Sequence, residues 1–224
     1  VLPDGRLIYM RWEYVDRSQV KFHHLWTSNP DGTNQTIYFG NMHPTGVFLD
    51  PKPIPGTNDI LFIDSPGHGR KEHAGFVSIV NDRQGPDALS AKRHVSETEY
   101  RDPYPISEDC FLAATNNGID VLDASGNASR LLTIEGTMHE PRPLIRRPRE
   151  RVIPSRVDYS NPTGTLFLDN VYVGRNMEGI EQGEIKKLLV LETLPKPLNY
   201  GSGMHDFIPI SHGGTFTLER ILGT

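Results

Sequence analysis

Apolar residues along this chain come in short runs separated by turn residues, and no stretch of the first 135 residues carries a helical period. The runs read LIYMRW, HLWTSN, QTIYFG, DILFID, GFVSIVN, CFLAAT, IDVLD and SRLLTI. They are rich in β-branched and aromatic residues, as pleated half-buried surfaces prefer. Between them stand PDGR, NPDGTN, DRQGPD, NNG and ASGN, whose Asp, Asn and Gly favour tight turns. The pattern predicts antiparallel strands joined by hairpins.

The runs also repeat. Residues 3–40 read turn, strand, strand, turn, strand; residues 50–95 follow the same grammar, ending in a weaker strand near Arg93; residues 102–134 do so most compactly. A unit of about 40–50 residues with three or four strands has the period of a β-propeller blade. The expected fold is therefore all-β: a partial propeller of about three blades over residues 1–144, then a connector and a smaller β domain over 145–224. In the second part, GTLFLDNVYVG and EIKKLLVLETLPKP look like two more strands, and FTLERILGT like the start of another. Roughly three blades are too few to close a ring, for which four to eight are usual, so the chain is expected to be part of a larger protein.

A second signal is superimposed on the first. Acid-Pro-x-Pro-aliphatic occurs at Asp50-Pro51-Lys52-Pro53-Ile54, at Asp102-Pro103-Tyr104-Pro105-Ile106 and at Glu140-Pro141-Arg142-Pro143-Leu144. Proline fixes φ and donates no hydrogen bond, which suits a corner bringing the chain to the innermost strand of a blade. The acids have two readings. Each caps its own corner by accepting a backbone N–H, or Asp50, Asp102 and Glu140 gather with Lys52, Tyr104 and Arg142 at one channel mouth and bind a polar, charged solute.

Composition narrows the rest. The chain has 224 residues, 23% of them charged and 36% hydrophobic, and a formal charge of −5. That balance suits a folded protein and argues against a nucleic-acid partner. The basic run RRPRERVIPSR, Arg146 to Arg156, reads as a solvated connector because it lacks interleaved aromatics. Cys110 is the lone cysteine, which excludes a disulfide framework, a Cys-rich zinc site and C-x-x-C-H haem attachment within this chain. In CFLAAT it reads as a small buried hydrophobe. No segment approaches the roughly 20 apolar residues of a membrane span.

Histidines supply the other candidates. His23 and His24 are adjacent, so on a strand one should pack and the other point outward. His68 and His73 lie in the glycine-rich loop SPGHGRKEHAG with Glu72 as its acid, a place where ligand-binding loops are common. His205, Asp206 and His212 stand together in the tail. Whether any of these holds a metal is left open by spacing alone. No G-x-S-x-G or phosphate-loop motif occurs, and Ser65 and Ser107 have no recognisable base.

LPDGRLIYMRWEYVDR, NPDGTN and DASGN resemble the blades of TolB-type propellers. FHHLWTSNPDGTN, KPIPGTNDILF, RDPYPISEDCFLAATNNGIDVLDASGN, HEPRPLIRRPR, TGTLFLDNVYVG, GEIKKLLVLETLPKP and FTLERILGT together resemble proteins related to the hydrazine synthase alpha subunit, over nearly the whole chain. The resemblance implies an exported or periplasmic setting, earlier blades before Val1 and a haem-carrying region after Thr224. Other domains of the same parent chain, and a redox or protein partner, are the partners it implies. The C-x-x-C-H motifs and axial ligands of that family have no counterpart here, so no catalytic residue and no cofactor are assigned to this chain. Two functions follow as expectations: a non-catalytic scaffold or binding module of such a haem protein, or a propeller enzyme acting on a glycan through inward-facing carboxylates.

Overall fold

A computed structural model describes residues 1–13, 22–43, 46–67, 73–174, 177–193 and 219–223. Apart from a single 3-10 turn at Leu89–Ala91, every regular element among them is a strand. The described residues divide into two compact units, one holding residues 1–13 and 22–160 and the other those from 161 onward.

The first unit is a run of antiparallel hairpins. β1 (Leu7–Trp12) pairs with β2 (His23–Ser28), and β2 with β3 (Thr36–Phe39) across the turn NPDGTN. In that turn Asp31 Oδ1 accepts hydrogen bonds from the Thr33 N–H at 3.0 Å and from its hydroxyl at 2.7 Å. The next strands are β4 (Val47–Pro53), β5 (Ile60–Ser65), β6 (Gly75–Val80) and β7 (Arg93–Ser107), each antiparallel to its predecessor. β7 continues into a meander with β8 (Cys110–Thr115), β9 (Gly118–Asp123) and β10 (Ala128–Thr133). A single parallel bridge, His23 to Val47, joins the β1–β3 group to the β4–β7 group.

Period-2 alternation sends successive side chains to opposite faces, and both faces of the middle sheet are buried. Val47, Leu49, Leu61, Ile63, Val77 and Ile79 pack on one side with Phe111 and Leu122 of the following meander. Phe48, Ile60, Phe62 and Val80 pack on the other side with Leu25 and Phe39 of the preceding one. That explains why DILFID is a continuous apolar run rather than an alternating one. The ten strands are hydrogen-bonded in one succession, and these two clusters cover the two faces of its middle strands. Ile63 is fully buried, so trimming it to Val is expected to cost about 1 kcal/mol. A urea midpoint should fall with an unchanged slope; no shift would mean that this face is loosely packed.

The acid-Pro pairs are not corners ahead of strands, as the sequence suggests. Asp50-Pro51 lies inside β4 and Asp102-Pro103 inside β7, where the register slips between Leu49 and Lys52 and between Arg101 and Tyr104. Each is a β-bulge. A left-handed acid followed by a proline without an N–H drops out of the ladder, and the strand resumes beyond it. The weak strand expected near Arg93 belongs to the same 15-residue β7, whose first part pairs with β6 and whose second part pairs with β8.

Residues 139–158 make no ladder but lie against the first unit. The Arg151 N–H donates to the Pro3 carbonyl at 3.2 Å. Asp31 Oδ2 accepts the Arg156 N–H at 2.6 Å. In the second unit β11 (Val190–Thr193) pairs with β12 (Glu219–Gly223), within the two later segments expected to hold strands. GTLFLDNVYVG, also expected to be strand, forms none: Leu166, Phe167 and Val173 are 79%, 89% and 76% exposed, with no neighbouring strand to pair with among the described residues.

Candidate functional site

Among the described residues four non-glycine positions have positive φ: Asn34, and Asp50, Asp102 and Glu140 at 53°, 47° and 48°. The left-handed conformation costs roughly 1–2 kcal/mol for an ordinary residue, with Asp and Asn tolerated best. All three acid-Pro steps adopt it. Their carboxylates converge: one oxygen from each of Asp50, Asp102 and Glu140 lies within 4.8 Å of the others.

Asp102 is the buried member, 7% exposed, and its contacts cross from β7 to the third acid-Pro segment. Its Oδ2 accepts the Glu140 N–H at 3.1 Å and lies within hydrogen-bond distance of His139 Nδ1, at 3.0 Å. The acid therefore does not cap its own bulge. It holds the backbone of the next acid-Pro step instead. Glu140, exposed, forms an ion pair with Arg142. Lys52 reaches the same region from β4: burial lowers its pKa, while Asp50 and Glu140 work against that effect and favour the ammonium.

Asp50 carries the largest electrostatic strain of the group. Burial, the dominant cause, pushes its carboxyl up to about 6. The Lys52 charge pulls it down, and Asp102 pushes it up both by repulsion and through a hydrogen bond between the two carboxyl groups, with a further contribution from Glu140. Asp50 is thus the member of the cluster that holds its proton more tightly than an ordinary carboxyl. The chemistry available is proton exchange near neutral pH and the accommodation of positive charge, the latter already supplied in part by Lys52.

The other sequence candidates fall elsewhere. Tyr104 is buried in β7, and no hydrogen bond joins it to the acids. His73 is exposed. His68, Glu72, His205, Asp206 and His212 lie outside the described residues. Neither member of the adjacent histidine pair points outward: His23 is 4% exposed and stacks on Trp12 at 4.7 Å, and His24 is fully buried among Phe22, His43 and Phe48. Both faces of β2 are covered, so alternation gives neither an exit. Cys110 is only half-buried, because it opens β8 directly after a tight turn. Ser107 donates its hydroxyl hydrogen to Asp109 and faces no base.

Sequence reasoning missed His139, although it stands next to Glu140. It also missed a second charged cluster, in which Asp64 pairs with Lys92 and, at 2.9 Å, with His94 Nε2. Adjacency could have suggested the first. Nothing in the spacing of residues 64, 92 and 94 pointed to the second. No protein-family model matches the chain, and no curated protein or solved structure matches it either.

Proposed function

We propose that the first unit is part of a β-propeller and serves as a non-catalytic scaffold or binding module, with the acid cluster on the propeller axis. The observation that carries this reading is the convergence of Asp50, Asp102 and Glu140 from equivalent places in successive repeats. Radial repetition around an axis brings equivalent positions of inner strands together. Burial of both faces of the β4–β7 group, by residues of the β1–β3 group and of the β7–β10 meander, supports the same arrangement. Under this reading β4, the second half of β7 and residues 139–144 are the inner strands.

The resemblance to proteins related to the hydrazine synthase alpha subunit supports an exported parent, with any haem carried elsewhere in it. Supplied as a separate polypeptide, the chain is expected to co-elute stoichiometrically with the remaining domains of such a parent. Failure to associate would overturn the scaffold role. The purified chain is also expected to give no haem stain after denaturation, since Cys110 is its lone cysteine and thioether attachment uses paired cysteines. A retained stain would refute that.

Glycan hydrolysis is the weaker reading. Retaining glycosidases hold their two carboxyl groups about 5–5.5 Å apart and inverting ones about 6.5–9.5 Å. Here oxygens of all three acids lie within 4.8 Å, and Asp102 is engaged by His139 and a backbone N–H. That spacing is tighter than either glycosidase arrangement, and one of the three carboxyl groups is already engaged within the protein. Turnover of a chromogenic glycoside that disappears in Asp50→Asn would reverse this preference.

A further inference from the structure

The arginine-rich strap that leaves the acid cluster has no part in it. We infer that residues 144–156 form a docking surface for anionic phospholipid.

The strap is held in place. Before it, Asp102 accepts the Glu140 N–H. Within it, the Arg151 N–H donates to the Pro3 carbonyl. At its end, Asp31 Oδ2 accepts the Arg156 N–H at 2.6 Å and the Ser155 hydroxyl hydrogen at 3.3 Å. Gly5 lies so close beneath that a Cβ there would stand 2.3 Å from the Arg151 carbonyl oxygen, and its φ of +95° also favours glycine. Pro148 and Pro154 stiffen the path between these anchors. Anchors on both sides limit the conformations open to the arginines between them, which lowers the ordering cost of binding.

What it displays is cationic and unpaired. Arg146, Arg147, Arg149, Arg151 and Arg156 are all exposed, and none of their guanidinium groups meets an acid among the described residues. Glu150 is the single anion in the segment, in a chain whose net charge is −5. Every cation is arginine rather than lysine, and the guanidinium fork matches phosphate oxygens two at a time.

Aliphatic side chains stand between the arginines. Leu144 is 104% exposed, Val152 81% and Ile145 45%. A soluble polyanion offers nothing to these groups, whereas a bilayer interface takes both the phosphate-seeking cations and the apolar side chains. A protein partner would need a broad patch of about 800 Å² on each side, whereas residues 144–149 are a short segment exposed at every position. Among the described residues no helix is long and apolar enough to cross a membrane.

Co-sedimentation of the whole 224-residue chain with vesicles tests this. Vesicles of phosphatidylglycerol mixed with phosphatidylcholine should bind it in a salt-sensitive way, and phosphatidylcholine alone should bind far less. Removing three charges in R146A/R147A/R149A should lower the partition coefficient about a hundredfold. L144S/V152S should weaken binding several-fold through lost insertion. All these positions are exposed, and unchanged thermal melts would show that the variants fold. Equal partition to both vesicle types, or undiminished binding by the arginine variant, would overturn the proposal. So would capture on heparin with vesicle binding indifferent to L144S/V152S, which would mark a soluble polyanion as the ligand.

Discussion

Replacing Asp102 with alanine is expected to destabilise the first unit by about 3 kcal/mol. The side chain is nearly buried, accepts the Glu140 N–H and lies within hydrogen-bond distance of His139. Alanine would leave that N–H without its acceptor and would also have to adopt a φ of 47°, which alanine tolerates worse than aspartate. Asparagine keeps a carbonyl oxygen for the N–H and tolerates the left-handed region, so Asp102→Asn should cost only about 1 kcal/mol. Urea denaturation of the three proteins separates these contributions. If Asp102→Ala costs no more than about 0.5 kcal/mol, typical of a neutral surface change, the contact between β7 and the third acid-Pro segment is not structural.

The second large effect depends on pH and has the opposite sign. The folded-state pKa of Asp50 is raised to about 6, well above the ordinary aspartate range. A raised carboxyl binds its proton more tightly in the folded protein than in the unfolded one. Its contribution to stability is therefore complete below the unfolded value and is lost as pH rises through the folded one. Between about pH 4 and pH 6 the wild-type protein should lose on the order of 2 kcal/mol from this group, after a discount for its partial exposure. Asp50→Asn removes the titration while keeping a hydrogen-bonding side chain at φ 53°. The variant should be less pH-dependent in that window and more stable than wild type above it. Thermal melts across the window decide the matter: a variant less stable than wild type above pH 6 would show that Asp50 is wanted as an anion, chiefly by Lys52.

The elements legible in the sequence were those whose signal is local. DILFID, CFLAAT and GFVSIVN announce strands because each is apolar, β-branched and bounded by turn residues. The identity of the acids as a group was legible too, because the same string recurs. Their geometry was not. A proline pair reads as a strand end, yet a bulge lets the strand resume beyond it, and only the partner strand decides between the two. His23 and His24 show the same limit: alternation sends them to opposite faces, but it cannot say that both faces are covered. GTLFLDNVYVG carries a convincing strand pattern, but among the described residues no strand lies beside it to pair with. Asp64, Lys92 and His94 come together only because β5, the turn before β7 and β7 itself are brought into register by the fold.

The continuity of β7 has a mechanical meaning. One strand, bulged at Asp102-Pro103, closes the sheet that begins at β4 and opens the one that ends at β10. Tension applied to either sheet is passed along a covalent rod rather than through a loop that could go slack. Fraying is likewise shared, since releasing the first half of β7 from β6 frees the backbone that holds β8 in place. The two sheets should therefore open as one cooperative block.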